Sequence, residues 1–577
     1  MPLQHVHGLF PRIIGKGPNA KRLMELLLRL RSEVLTSENT NSTPSQLGMM
    51  PSSSIESLII IDREVDFVTP LLTQLTYEGL VDEIFGITDN QAEIDISIIG
   101  QAPGAPANQP QSAKRKIQLD SSDNLYAQLR DTNFATGSQL LSKFAKRLQS
   151  EYESRHTAKS TSELRAFVSK LPAYQTEQAS LKTQIALAEE IEKQTLQSAT
   201  FGKVLEIQQN LIGGADGPSQ YGAIDELISR AVPLSTVLRL LCLVSCLNGG
   251  LKPKDLDFFK QQILQAYGYQ HLLTLSSLEK AGLLVSSRTS VSHAFQFLPR
   301  PGGSSNSSAS ASTTSATSAA TPLSHTNYSL IRRPLRLIVE DIDEQSPQDI
   351  AYTYSLYAPL SIRLVQCIIQ KPLVSSFSTG GSTSTSTSTS TSVINTKDLT
   401  SRSSNTSNTN NISSVSTGWS PFEDLLRNIR GGDGFTRVQK GEEAATKAKY
   451  MLHGSNSGGA AAATTPSGAG ASGAGAGTGK TILIMFLGGI TYTEIAALRF
   501  IAKQEEEEDE NENDQEGQEA VMAGRGRNSG AKGGKGGRGK MKRKVVICTT
   551  GILGGREMMD AVIEKAGFSL VVVGEEP

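Results

Sequence analysis

Three short runs of β-branched and aliphatic residues limit what this chain can fold into: Ser57-Leu-Ile-Ile-Ile-Asp62, Thr481-Ile-Leu-Ile-Met-Phe-Leu487 and Lys544-Val-Val-Ile-Cys-Thr-Thr550. Each is too short for a helix, and the first is apolar on both of its faces. A strand with both faces apolar must be covered on both, which is the habit of a parallel sheet flanked by helices. The first run is separated from the other two by more than four hundred residues. One sheet that holds all three must therefore close around a large insertion. The sequence after the second run fits this: Gly488-Gly489 turns the chain, and Thr491 with Glu494 forms a capping box that opens a helix carrying Ile495, Leu498 and Ile501. After the third run, Gly551 to Gly555 leads into a short helix, and Phe568 to Val573 reads as a final strand. Strand, turn and helix alternating in this way is α/β grammar.

The intervening sequence is of a different kind. Residues 117–300 read as mainly helical: Leu181, Ile185, Ala188 and Ile191 recur at helical spacing, as do Val237, Leu240, Leu241 and Val244, with Pro233 and Gly249-Gly250 as punctuation. Near the N-terminus, Asn19 is placed to cap a helix bearing Leu23, Leu26, Leu27, Leu30 and Val34, and 36–56 reads as a loop. The segment 328–374 opens with Leu335 to Val339, read as a strand, and continues through Tyr352 to Gln370. Four low-complexity inserts, 301–323, 375–416, 454–479 and 505–541, are Ser/Thr, Ala/Gly or charge runs with too little apolar surface to offset the entropy of ordering. They are expected to be disordered loops, which a fold tolerates because closure entropy grows slowly with length.

Composition narrows the function classes. Of 577 residues 38% are hydrophobic, a low value explained by the four inserts, and the formal charge is −1, which offers no general attraction for nucleic acid or anionic membrane. Cys242, Cys246, Cys367 and Cys548 are scattered in apolar contexts and read as buried free thiols; no metal site is expected. The N-terminus lacks a signal-peptide pattern, and no apolar run is long enough to span a bilayer.

Several motifs imitate other chemistries. Gly475-Ala-Gly-Thr-Gly-Lys480-Thr481 resembles a nucleotide-binding P-loop, with Asp62 at a strand end as a possible magnesium ligand. Position 474, where the motif needs glycine, is Ala, and a strand follows where a helix should open. An α/β nucleotide-dependent enzyme using Lys480, Thr481 and Asp62 is thus the rival reading. The Arg/Gly/Lys tract Arg525–Lys540 resembles RNA-binding tracts but has no interleaved aromatic and follows an acidic run, Glu505 to Glu519, so it reads as self-neutralising. Residues 255–285 have a winged-helix flavour, but their charges balance, so they read as a helical packing module. No nucleophile elbow, H-E-x-x-H or C-x-x-C occurs.

Laid end to end, the ordered segments are recognisable. Ile61-Asp-Arg-Glu-Val-Asp-Phe-Val-Thr-Pro-Leu-Leu72 with Leu75-Thr-Tyr-Glu-Gly79 resembles the signature of the SM (Sec/Munc) family. Leu80-Val-Asp-Glu-Ile-Phe-Gly86, Leu129-Arg-Asp-Thr-Asn-Phe134, Phe167-Val-Ser-Lys-Leu-Pro172 and Leu187-Ala-Glu-Glu-Ile191 resemble its vacuolar-sorting branch. So do Val339-Glu-Asp-Ile-Asp-Glu-Gln345, Tyr357-Ala-Pro-Leu-Ser-Ile-Arg-Leu-Val-Gln366 and the stretch Phe486 to Phe500.

The resemblance implies an arch of α/β and mainly helical domains, in which a parallel-type sheet, domain 2, is split by an inserted helical domain 3. Residues 1–86 would form the first half of domain 2, 87–366 domain 3, and 367–577 the second half. The match begins partway into domain 2, so the family's domain 1 is expected to have no counterpart here, as in a fragment or truncated gene model. The resemblance further implies a non-enzymatic SNARE-binding template without cofactor. It would act at endosome and vacuole or lysosome membranes, held there by partners, in a tether of the HOPS or CORVET kind, with the neighbouring class C subunit as partner. On this reading Leu181, Ile185 and Ile191 are the expected SNARE-contacting residues, and Tyr352, Tyr354 and Tyr357 the expected tether-subunit contacts. Asp62, Arg63, Asp66, Thr69 and Pro70 are read as a structural clasp at a strand end, with Arg63 bridging two carboxylates and Thr69-Pro70 stopping the segment before any helix.

Overall fold

The computed structural model describes residues 2–37, 51–52, 54–100, 114–157, 161–195, 197–215, 217–287, 325–370, 419, 422–438, 481–523 and 543–564. The inserts 301–323, 375–416 and 454–479, the basic tract Arg525–Lys540, and the expected strand 568–573 lie outside them.

In chain order the elements begin with α1 (Pro2–His7), β1 (Arg12–Lys16), α2 (Pro18–Ser37), β2 (Ile55–Asp62), α3 (Val68–Leu71) and α4 (Tyr77–Phe85). There follow β3 (Ile87–Thr88), β4 (Gln91–Asp95), α5 (Ile96–Ile99), β5 (Lys114–Gln118), α6 (Asn124–Leu129), α7 (Phe134–Thr157), α8 (Thr161–Thr195) and α9 (Ala199–Gly213). Next come α10 (Gly217–Ser229), α11 (Leu234–Asn248), α12 (Pro253–Tyr267), α13 (Leu272–Lys280), α14 (Tyr328–Ile331) and α15 (Leu360–Ile369). The chain closes with α16 (Glu423–Leu426), β6 (Phe435–Val438), β7 (Thr481–Leu487), α17 (Tyr492–Ala523), β8 (Lys544–Thr549) and α18 (Gly555–Asp560).

The three apolar runs do share one sheet, of order β6-β1-β2-β7-β8. β1, β2, β7 and β8 are parallel, with Ile14 opposite Ile59, Ile59 opposite Ile484, and Ile484 opposite Ile547. β6 is an antiparallel edge strand on β1. Both faces are covered. Ile14, Ile59, Ile61, Ile484 and Phe486 point into the largest core, shared with α9 to α13 and α15. Ile13, Leu58 and Ile60 point the other way, against Leu23, Met24 and Leu27 of α2. α11 is buried on nearly every side, Arg239 included, and sits between Pro233 at its start and Gly249, left-handed at φ 69°, at its end.

A second core lies apart from this sheet. It is built by α4, α6, α7 and α8 around a three-stranded antiparallel sheet, β3-β4-β5. Asp89 and Asn90, both at positive φ, make the two-residue turn of its hairpin.

Five expectations fail locally. Asn19 does not cap α2 but lies inside it, and its backbone N–H donates instead to Asp62 Oδ2 at 2.8 Å. Leu26 of that helix is exposed. Leu335–Val339 is not a strand: it leaves a turn at 335–336 and makes a single bridge, Ile338 to Tyr357, because apolar composition extends a strand only where a neighbour continues the pairing. The acidic run from Glu505 continues α17 as far as Ala523, since Glu, Gln and Ala are strong helix formers and no proline interrupts them. Residues 54–56, assigned to a loop, already belong to or abut β2.

Lys16, at the end of β1, is fully buried, and its ammonium donates to the carbonyls of Leu426 (3.1 Å), Ile429 (3.2 Å) and Gly432. Trp419 Nε1 donates to Gly15 O at 3.0 Å beside it. These contacts pin the segment that carries β6 to the sheet edge. Burial lowers the Lys16 pKa to about 8, partly offset by Asp433. Lys16→Met is expected to take the ammonium from all three carbonyls, of which Leu426 O keeps the Ile429 N–H as donor, and to cost ~2 kcal/mol. The midpoint of urea denaturation measures that loss, and limited proteolysis should show earlier cleavage within 422–438.

Candidate functional site

The signature residues form a buried clasp at the end of β2. Asp62 accepts from Glu64 N at 3.3 Å and from Asn19 N. Arg63, 4% exposed, sends Nη1 to Glu494 Oε2 at 2.7 Å, holds Nη2 3.7 Å from Asp66 Oδ2, and donates Nε–H to Asp66 O at 2.9 Å. The two bridged carboxylates are thus Asp66 and Glu494. Burial works against the charge on Arg63, but Glu494 and Asp66 outweigh it and hold the guanidinium pKa up.

Asp66 also receives Thr69 N (3.1 Å), Thr69 Oγ1 (2.5 Å) and Ser361 N (3.1 Å), the last from α15. Glu494 accepts from Thr491 N at 2.9 Å while Thr491 Oγ1 accepts from Glu494 N at 3.0 Å, a closed capping box. Ser361 Oγ donates to the same Glu494. Thr69-Pro70 does not stop the chain short of a helix: both lie within α3, where Pro70 falls in the first turn and its missing N–H costs nothing.

From this clasp α17 reaches over to α4. Thr493 N donates to Gln74 Oε1 at 3.2 Å, and Arg499 pairs with Glu78 (3.2 Å) and Asp131 (2.6 Å). Tyr126 OH donates to Glu78 at 2.8 Å. At the end of α4, Asp82 accepts from Ile87 N at 3.1 Å. Burial first, and then Glu557, push its carboxyl up to about 7.

α4 in turn is the floor of an apolar groove of about 670 Å³ between α7, α8 and α9. Leu75, Tyr77 and Leu80 form the base. One wall is the face of α7 that carries Ala135, Ser138, Leu141, Ser142 and Ala145; the other is α8 with Ile185, Ala188, Glu189, Glu192 and Thr195. Phe201, Leu205 and Gln209 of α9 close one end. Tyr77 is fixed by its hydroxyl, which donates to Gln184 Oε1 at 2.8 Å. Asn133 Nδ2 ties the groove's other end to Tyr352 O (2.8 Å) and Ser355 Oγ (2.9 Å).

The expected SNARE residues divide on α8. Ile185 lines the groove, whereas Leu181 and Ile191 are buried in the second core. The three tyrosines are interior residues: Tyr352 and Tyr354 are 4% exposed and Tyr357 1%. Tyr352 OH donates to Asp131 O (3.0 Å), Tyr354 OH to Thr69 O (3.2 Å), and Tyr357 OH accepts from Leu360 N (3.3 Å). Burial raises the pKa of all three. Their clustering in sequence reflects a place in the core and not an outward face. Exposed apolar surface is concentrated elsewhere, at Tyr269, Leu272 and Leu273, where α12 meets α13. That signal, apolar residues at a short helix–helix junction, was open to sequence reading, as was the small-residue spacing of α7.

Of the P-loop-like motif, Thr481 is described: it opens β7 and its N–H donates to Ser54 O at 2.7 Å. No helix N-terminus follows it to meet a phosphate. Among the described residues no three His, Cys, Asp or Glu side chains are placed to hold a metal, and no helix is long and apolar enough to cross a membrane. Burial raises the Cys242, Cys246 and Cys367 thiols, which fits inert core cysteines.

Comparison with known proteins matches the Sec1 family over residues 2–561. Vacuolar protein sorting-associated protein 33A of Rattus norvegicus is 33% identical over 509 residues, which cover 88% of this chain and 66% of that protein. The vacuolar protein-sorting-associated protein 33 homolog of Arabidopsis thaliana is 30% identical over 503 residues, 87% of this chain and 65% of that one. The chain thus spans just under two thirds of the length of these relatives. A solved structure of the SM protein Vps45 in complex with the Qa SNARE Tlg2 aligns with a TM-score of 0.47 at 13% identity, over 97% of this chain and 66% of that one.

Two outcomes follow from the charges. Glu494→Ala leaves the buried Arg63 guanidinium with Asp66 as its one carboxylate, at 3.7 Å, and is expected to cost about 3 kcal/mol, read from chemical denaturation. Asp82, with its pKa raised, binds a proton in the folded state that the unfolded chain has already lost. Its contribution is therefore full below the ordinary carboxylate range and disappears as pH rises through about 7. Asp82→Asn should flatten the decline in stability between about pH 4 and pH 7; an unchanged decline would refute this assignment.

Proposed function

The chain belongs to the Sec1 family, and from that premise we propose that it is a non-enzymatic scaffold that binds SNARE helices and holds them in register for assembly. The observation that carries this reading is the groove between α7 and α8. An amphipathic helix is recognised by laying its apolar stripe into such a trough, with anchors at i, i+3, i+4 and i+7. The groove's apolar base and side walls suit that stripe. Ile185 and Ala188 meet the incoming helix, while Leu181 and Ile191 hold α8 in place from behind. The vacuolar-sorting relatives support a site of action at endosome and vacuole or lysosome membranes, reached through partners.

We further assign the chain to a HOPS- or CORVET-like tether with a class C subunit as neighbour. The exposed cluster Tyr269, Leu272 and Leu273 is the surface we favour for that neighbour, because the three interior tyrosines are not accessible to one. In domain terms, residues 1–86 and 367–577 are assigned to domain 2 and 87–366 to domain 3. The boundary between the two is a packed one: the sheet shares its largest core with α9 to α13, which fall within 87–366.

Fluorescence anisotropy of labelled endolysosomal SNARE-motif peptides with the purified chain tests the main proposal. Ala188→Trp should fill the groove and weaken binding about tenfold or more, with thermal stability unchanged. Undiminished binding by that variant would remove the groove from the mechanism. Leu272→Ser with Leu273→Ser should abolish capture of the class C subunit in a pull-down and leave SNARE binding intact.

A further inference from the structure

The rim of the groove carries a charge pattern of its own, and the inference from it rests on the SNARE-binding reading. α8 presents Glu189 and Glu192, one turn apart and exposed, along one edge of the lining. Neither forms a salt bridge among the described residues. One basic group on each of α7, α8 and α9 is already engaged: Arg147 with Glu177, Lys193 with Glu190, and Lys203 with Glu226. The rest of the lining contains no Lys, Arg or His. Two carboxylates therefore stand unopposed beside an apolar trough, and low-dielectric walls strengthen their field there. The lining of the opposite wall is uncharged and, Leu141 apart, small, with Ala135, Ser138, Ser142 and Ala145 spaced by three and four residues on one face of α7. Such a wall lets a helix approach closely but does not choose among helices.

We propose that Glu189 and Glu192 are the specificity-determining residues of the groove. They admit an amphipathic helix whose apolar stripe is flanked, on the edge facing α8, by Lys or Arg three or four residues apart. They disfavour the same helix with Asp or Glu there. Rim charges add little net affinity, but a like-charge approach is penalised, so the pair acts mainly by exclusion and by fixing which way round the helix lies. Because both side chains are exposed, their substitution leaves the fold intact.

The test uses two synthetic versions of one SNARE-motif helix, identical except for two Lys or two Glu beside the apolar stripe at three-residue spacing. Anisotropy titrations against the full chain are run at low and high salt. The wild-type chain should favour the Lys version by roughly tenfold at low salt, with the preference shrinking as salt screens it. Glu189→Gln with Glu192→Gln should bind both versions alike, and Glu189→Lys with Glu192→Lys should invert the order. Equal affinity of wild type for the two versions, or a preference that survives charge reversal, overturns the proposal while the SNARE-binding reading stands. Binding of neither version overturns both. Circular dichroism melts of the variants confirm that a lost preference is not lost folding.

Discussion

The ion triad of Arg63 with Asp66 and Glu494 is the interaction on which the rest of the structure depends. Arg63 and Glu494 are separated by 431 positions in the chain, and both are buried. An unpaired guanidinium in that place would be costly; so would either carboxylate alone. Such a group is stable only when β2, α3, α15 and α17 are all in place around it. It therefore acts less as a source of stability than as a condition on which arrangement of the two halves of the chain is allowed. Ser361 strengthens that condition by donating from α15 to both carboxylates at once.

What the triad positions is the start of α17. Glu494 has two roles there. Its side chain closes the capping box with Thr491 and also receives Arg63, so the helix cannot form its N-terminus in any other orientation without losing one partner. From that fixed start Thr493 reaches Gln74, and Arg499 reaches Glu78 and Asp131. α4 is held by these contacts, and α4 is the base of the groove. A binding surface in the second core is thus registered against the large sheet through a chain of buried polar contacts. These are specific in geometry where apolar packing tolerates sliding.

The residues expected to bind partners show how a helical stripe must be divided. α8 is packed against the second core along one side, so the apolar positions that define it as a helix are mostly consumed in holding it. Ile185 falls at the boundary and reaches the groove, whereas Leu181 and Ile191 do not. The groove itself needs an apolar floor from one element, small residues from a second and charges from a third. No single stretch of sequence displays that combination. The tyrosines of 352–357 make the same point in reverse, since an aromatic cluster looks identical in sequence whether it faces solvent or spans three buried hydrogen bonds.

The sequence by itself determined that β2 is a strand buried on both faces, that β7 and β8 are strands, the capping box at Thr491 and Glu494, the start and stop of α11, and the family to which these belong. All of these are set by local chemistry, in side-chain branching, period and cap donors, and are complete within a few residues. Tertiary structure alone decided that Arg63 takes Glu494 as its second carboxylate, that Asp62 accepts from Asn19, and that Lys16 holds the segment bearing β6. It also decided that Tyr352, Tyr354 and Tyr357 face inward. The edge strand β6 and the sheet β3-β4-β5 were missed because short strands have no identity until a neighbour supplies their hydrogen bonds. The groove belongs to the same class. A cavity is a relation between elements far apart in the chain, so it exists only once packing has brought α4, α7, α8 and α9 together.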